Sequence, residues 1–137
     1  MHERRNWLRA ALAALLPALA PVKAPAQATR SVKVLFERAI ETPFPNRTIN
    51  VVRVDMPPGD PPSAAHRHSG LTIGYVLSGT YRFQVSGEPE RTLRAGDVFF
   101  EPEGHAHLVS GNASKDRPTA ILAVIIGVTG KPLTVPA

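Results

Sequence analysis

Residues 96–107 read Gly96-Asp97-Val98-Phe99-Phe100-Glu101-Pro102-Glu103-Gly104-His105-Ala106-His107. The stretch divides into a short β-forming run, Asp97 to Glu101, and a Pro/Gly turn that delivers two histidines. Histidines two apart on a strand share a face, roughly 7 Å apart along the chain. Two imidazoles on one face grip a metal ion when a third ligand arrives from elsewhere. The chain holds five histidines in all. A second pair, His66-Arg67-His68, follows the loop Pro57-Pro58-Gly59-Asp60-Pro61-Pro62-Ser63, and only His2 stands apart. A single histidine on a strand is usually a surface or satisfied core residue. Four in two like settings argue for a shared task. Arg67, between two ligand candidates, should face the other way.

Working outward, the pattern is all-β. Val32 to Phe36 and Ile49 to Val54 are short β-branched runs. Tyr81-Arg82-Phe83-Gln84-Val85 alternates apolar and polar residues, the period of a half-buried strand. Gly74 to Leu77 and Tyr81 to Val85 flank Ser78-Gly79-Thr80, which reads as a hairpin turn. Ser86-Gly87-Glu88-Pro89 is another turn, and His107 to Ser110 another strand. Thr119 to Val128 carries little polarity, and its Ile, Val and Thr favour a central strand over a buried helix. Residues 111–118 form a polar loop, and the tail from Gly130 to Ala137 reads as irregular, able to cross to a neighbouring copy. Helical patterning is nearly absent, so short strands joined by Gly/Pro turns predict a sandwich or barrel.

Residues 1–28 read as an export signal. Residues 1–9 are basic, and the apolar run Ala10 to Ala20 falls short of the roughly 20 residues a bilayer span needs. Ala26-Gln27-Ala28 is a small-x-small cleavage site, so the mature chain is expected to begin at Thr29. Arg4-Arg5-Asn6-Trp7-Leu8-Arg9 resembles the twin-arginine motif. The Ala-rich run and Lys23 favour that route over the general secretory one. The expected location is therefore the periplasm or the outside, and a metal could be loaded before export.

Residues 29–137 have the length of one domain. They carry twelve Lys+Arg against ten Asp+Glu, a net +2, so much of the whole-chain +5 belongs to the leader. No basic cluster with interleaved aromatics remains, which argues against a nucleic-acid partner. There is no second apolar segment to span a membrane. Cysteine is absent, which removes disulfides and thiolate ligands and leaves imidazole and oxygen for a metal.

Together the two histidine blocks resemble the cupin superfamily, in particular small single-domain bacterial cupins of the cupin-2 type. The family's first motif has a Gly, an HxH, a Glu a few residues on and a closing Gly. Its second has Gly-Asp, a strand, Pro-x-Gly-x-x-His and an Asn beyond. Gly59, His66, His68 and Gly79 match the first, and Gly96, Asp97, Pro102, Gly104 and His107 the second. Asn112 falls one place late. The resemblance covers about residues 49–128 and implies a double-stranded β-helix, or jelly-roll barrel, with its site inside the mouth. It implies His66, His68 and His107 as metal ligands. His105 is a lesser candidate, because the motif needs no ligand there and the Gly104 turn should rotate it away.

The family's Glu is missing. Thr72 stands at that position (or Ile73, with the spacing read one longer), and neither replaces a carboxylate. Thr72 is expected to line the barrel or to hydrogen-bond a metal-bound water. Tyr75, Phe83 and Phe99 are expected around an apolar pocket. Glu101 is either a solvated loop charge or a general base or replacement carboxylate. The implied cofactor is a divalent ion, Fe²⁺ first, with Mn²⁺, Ni²⁺ or Zn²⁺ as alternatives. Three neutral imidazoles leave the ion's charge uncompensated, which lowers the pKa of a bound water or leaves room for substrate and O₂. The implied function is a metal-dependent, oxygenase-type enzyme acting on a small organic substrate. A non-catalytic cupin that binds metal or a small ligand is the alternative. A metal-free epimerase or isomerase would need a second proton-transfer group, and none is evident. Small cupins pair through their sheets, so a homodimer is expected.

Overall fold

The structure, a computed structural model, describes residues 28–40 and 44–137. The expected export signal lies outside the described residues except for Ala28. The described residues form ten strands and no helix: β1 (Ser31–Ile40), β2 (Arg47–Met56), β3 (His66–His68), β4 (Gly70–Ser78), β5 (Thr80–Val85), β6 (Arg91–Arg94), β7 (Val98–Glu101), β8 (Ala106–Asn112), β9 (Thr119–Val128) and β10 (Thr134–Pro136). They build two antiparallel five-stranded sheets, in the orders β1-β2-β9-β4-β7 and β10-β3-β8-β5-β6. This is the double-stranded β-helix, all-β as the sequence predicts.

Strand periodicity decides what lies between the sheets. In β5 the alternation puts Tyr81, Phe83 and Val85 inside, all fully buried. Burying a side chain of this kind contributes on the order of 1.5–3 kcal/mol. A one-residue slip would expose all three, so the register is strongly fixed. They pack with Met56, Val76, Leu93, Phe99 and Ile121 into the main core. β9 is central, between β2 and β4, as its apolar content requires. Gly74 faces inward, and the Phe99 ring fills the space its side chain would take. That ring lies 4.8 Å from Phe83 and 5.3 Å from Tyr81, centroid to centroid. These three aromatics make the floor beneath the histidines.

Two expectations need correction. Ser78-Gly79-Thr80 does not close a hairpin. β4 belongs to one sheet and β5 to the other, so the turn carries the chain across the barrel edge. Gly79 (φ 78°) supplies a positive backbone angle there, against the backbone of Pro118 and Thr119. Thr119 Oγ1 pins the corner. It accepts from Thr80 N at 3.0 Å and donates toward Thr80 O at 3.0 Å, with Asn112 Oδ1 2.9 Å away. The tail is not irregular throughout either. Thr134 to Pro136 pair antiparallel with His66 to His68.

Candidate metal centre

The proline-rich loop that ends at His66 is tied down by β8 and the loop after it. Ser63 N donates to Ser110 O at 2.9 Å, and Gly59 N to Ser114 O at 2.9 Å. Asn112 Nδ2 donates to Pro57 O at 2.9 Å and to Arg117 O at 2.7 Å. The motif's Asn is thus a buried fastener of the loops around the site. The short β3 then lies between β8 and β10, with His66 directly opposite His107. Ring centroids are 5.0 Å apart for His66–His68 and His66–His107, and 6.3 Å for His68–His107. One ring nitrogen from each histidine lies within 4.8 Å of the others.

Their tautomers follow from the outer contacts. His66 Nδ1 is 2.9 Å from Ala64 O, and His68 Nδ1 is 3.0 Å from Leu133 O. A carbonyl only accepts, so both Nδ1 atoms carry a proton, and in the neutral rings Nε2 keeps the lone pair that a metal ligand requires. Burial pushes the His66 imidazole below its ordinary value. The Ala64 bond partly offsets this, the His107 and His68 rings add to the depression, and Glu101 opposes it. The ring is therefore held neutral at pH 7, the form that binds a cation.

His107 is buried at 3% exposure. Its Nε2 meets the Tyr81 hydroxyl at 3.3 Å, which in turn meets Ser110 Oγ at 2.8 Å. Burial raises the Tyr81 phenol well above the usual tyrosine range, although the Ser110 bond opposes this. A β-bulge re-phases β8: Gln84 pairs with Val109, but Val85 pairs with His107, skipping Leu108. His107 and Ser110 are three apart and would face opposite ways on a regular strand. The bulge turns both inward.

Glu101 enters from the other sheet, directly opposite Thr72 across β4 and β7. Both are buried, at 3% and 0% exposure. Glu101 Oε2 lies 3.2 Å from His107 Nδ1 and 3.5 Å from His68 Nε2. The first contact is close but misaligned, for His107 Nδ1 has no hydrogen-bond partner, and neither does Thr72 Oγ1. Buried polar atoms rarely go unpaired. An orphaned imidazole nitrogen beside two others with free lone pairs is what a divalent cation fits, so the residues present suit the implied metal.

The remaining candidates separate cleanly. His105 is exposed and turns its Nδ1 to Ser86 O at 3.3 Å, away from the site. Arg67 is exposed on the face opposite its two neighbours. Tyr75, expected in the pocket, instead lies on the outer face at 45% exposure. Gly74 and Val76 point inward, so Tyr75 between them must point out. Phe99 lines the cavity, whereas Phe83 sits fully buried behind it, 5.2 Å from the His107 ring. Glu103 is a surface charge paired with Arg47 at 3.0 Å. Sequence reasoning missed Tyr81, Ser110 and the Leu133 carbonyl as supports of the histidines. The cavity above them measures about 520 Å³ and is walled largely by Val52, Val54, Ile121, Ala123, Ile125 and Leu133.

Comparison with known proteins agrees with this construction. The family model for the cupin domain matches residues 52–125. None of the curated proteins matches the chain. A double-stranded β-helix protein from Klebsiella pneumoniae superposes with a TM-score of 0.59 at 21% identity, covering 78% of this chain and 84% of that one. A cupin-like protein from Thermotoga maritima gives 0.61 at 28% identity, over 79% and 75%. The DMSP lyase DddQ from Ruegeria pomeroyi gives 0.63 at 26% identity, over 85% of this chain and 56% of the lyase. With both motifs, the rolled pair of sheets and the family match in agreement, the chain belongs to the cupin family.

Proposed function

We propose that this cupin is a periplasmic, metal-dependent enzyme of the oxygenase type, acting on a small organic molecule. One observation carries the reading: three imidazoles converge, one ring nitrogen each, at the floor of a cavity of about 520 Å³. That size is typical of small-molecule sites. His66, His68 and His107 would hold a divalent ion. Such an ion supplies Lewis acidity toward a substrate oxygen and, if redox-active, electrons for O₂.

The chain's own residues do the rest. Val52, Val54, Ile121, Ala123 and Ile125 exclude water and leave space for an apolar substrate body. Arg30 lies at the cavity wall, fixed by Asp60 at 2.6 Å and by Ser110 O at 3.2 Å. Asp60 balances its charge, and its guanidinium gives the cavity wall a hydrogen-bond donor suited to a substrate oxygen. Tyr81 stays protonated and holds the His107 ring in place through its hydroxyl. The 26% identity to a lyase of the same fold supports small-molecule chemistry over an inert shell.

The test is anaerobic reconstitution with Fe²⁺, Mn²⁺ or Ni²⁺, followed by O₂ uptake with diketones, flavonoids and phenols. Metal-dependent uptake with one class is expected. No metal-dependent turnover on any class would sink the enzyme reading. The replacement of the family's Glu by Thr72 favours a second reading, a non-catalytic cupin that binds metal or a small ligand. Water-proton relaxation of the Mn²⁺-loaded protein separates them: an exchangeable water favours chemistry, and a closed coordination sphere favours binding. Export is tested by the mass of the periplasmic protein, which should begin at Thr29.

A further inference from the structure

Glu101 is a buried carboxylate without a conventional partner. Among the described residues no donor is aligned with it, and its nearest polar atoms are His107 Nδ1 at 3.2 Å and His68 Nε2 at 3.5 Å. The second contact is the informative one. His68 Nδ1 faces the Leu133 carbonyl, which only accepts, so in a neutral, metal-binding ring the Nε2 facing Glu101 is the lone pair. A lone pair and a carboxylate oxygen repel each other at that distance, and burial strengthens the repulsion. A cation between them turns both into ligands. The separations agree with this. Donors adjacent around an ion with bonds of about 2.1 Å sit roughly 3.0–3.4 Å apart.

The register explains where this carboxylate comes from. Thr72 occupies the place from which the family's Glu would point inward, and Glu101 is its direct partner on β7. Both side chains face the interior. Thr72 Oγ1, short and unpaired, leaves room for the longer residue opposite. A carboxylate lost from one strand is thus present at the facing position of the next.

We propose that Glu101 is the fourth ligand of the cation held by His66, His68 and His107, a carboxylate moved from β4 to β7. The proposal rests on the metal reading above. It changes the charge of the site from that of three neutral imidazoles to that of three imidazoles and one anion. It also assigns to Thr72 the role of making space.

The test uses the full mature chain and Co²⁺ alone as probe. Affinity is read by competition with a chromophoric chelator, and the donor set by the visible d–d spectrum. Wild type should bind one equivalent, and His68→Ala should lose it. Failure of both would overturn the metal reading itself, whatever Glu101 does. With wild-type binding in hand, Glu101→Gln keeps the shape but not the charge. It should weaken Co²⁺ about 10- to 100-fold and alter the spectrum. Unchanged affinity, or weaker binding with an unchanged spectrum, would overturn the proposal, because Glu101 would then only position the rings. The exchanged pair, Thr72→Glu with Glu101→Thr, returns the carboxylate to β4 and should recover affinity to within about tenfold of wild type. An exchanged protein that folds, by its circular dichroism, yet binds no better than Glu101→Gln would overturn the equivalence of the two positions.

Discussion

His66 and His107 stand directly opposite each other across β3 and β8, ring centroids 5.0 Å apart. Their approach needs no contact from a long loop. It follows from strand pairing, so the ring spacing is set by backbone hydrogen bonds and is rigid. Substituting either by Gln should lower Co²⁺ affinity at least about 100-fold, beyond the usual loss from an outer partner. His105→Gln, two residues before His107, should leave affinity unchanged, because that ring turns to Ser86 O. Chelator competition on the three variants checks this. Equal losses at His105 and His107 would contradict the geometry.

Stability of the metal-free protein should fall at both ends of the pH scale. The His66 pKa is depressed by burial, so below about pH 6.5 the unfolded chain takes a proton that the folded one resists. Stability present above that pH is lost as pH falls through it. Tyr81 acts at the other end. Its phenol is raised by burial, so above about pH 10 the unfolded chain releases a proton that the folded one keeps, and stability falls as pH rises. Urea midpoints at pH 5.5, 8 and 10.5 should peak in the middle. His66→Gln should flatten the acid limb, and Tyr81→Phe the alkaline one.

The corner between the two sheets depends on one hydroxyl. Thr119 Oγ1 bonds both Thr80 N and Thr80 O at 3.0 Å, and it is buried at 1% exposure. Thr119→Val keeps the shape and removes the acceptor of Thr80 N, while Asn112 Oδ1 keeps Ser114 N at 2.8 Å. A loss of about 1–3 kcal/mol in unfolding free energy is expected. Thr129→Val, at the exposed end beyond β9, should change stability by less than about 0.5 kcal/mol. Chemical denaturation of both variants provides the comparison.

An apolar strip covers the outer face of β4 and β7. Ile73 pairs with Phe100 and Tyr75 with Val98, and all four are at least 45% exposed. We expect a second copy to cover it. Tyr75→Lys with Val98→Lys should convert a dimer to a monomer in sedimentation velocity while leaving Co²⁺ affinity intact. A wild-type protein that sediments as a monomer at micromolar concentration would contradict the expectation.

Local chemistry was readable and long-range register was not. The three-histidine cluster could be found because HxH spacing, the Pro102-Glu103-Gly104 turn and strand alternation all act within a few residues. The outward face of Tyr75 was also within reach, since parity with Gly74 and Val76 decides it. Glu101 was ambiguous because its role depends on facing Thr72 on a strand 29 positions earlier. The Ser78–Thr80 turn misled because a glycine at positive φ serves a hairpin and a sheet-changing corner alike. β10 was missed because three residues that include Pro136 carry no strand signal of their own. Only pairing with β3 makes them a strand.

That last pairing ties the end of the fold to the chemistry at its centre. The Leu133 carbonyl holds the His68 ring, and Ala137 N reaches Ala65 O at 3.2 Å, just before His66. Anything that peels β10 away frees a ligand to rotate and switch tautomer. By reciprocity, an ion that locks His68 clamps β10 down, and the amide protons of Leu133, Thr134, Val135 and Ala137 should exchange more slowly in the loaded protein. The barrel thereby announces at its rim whether its interior is filled.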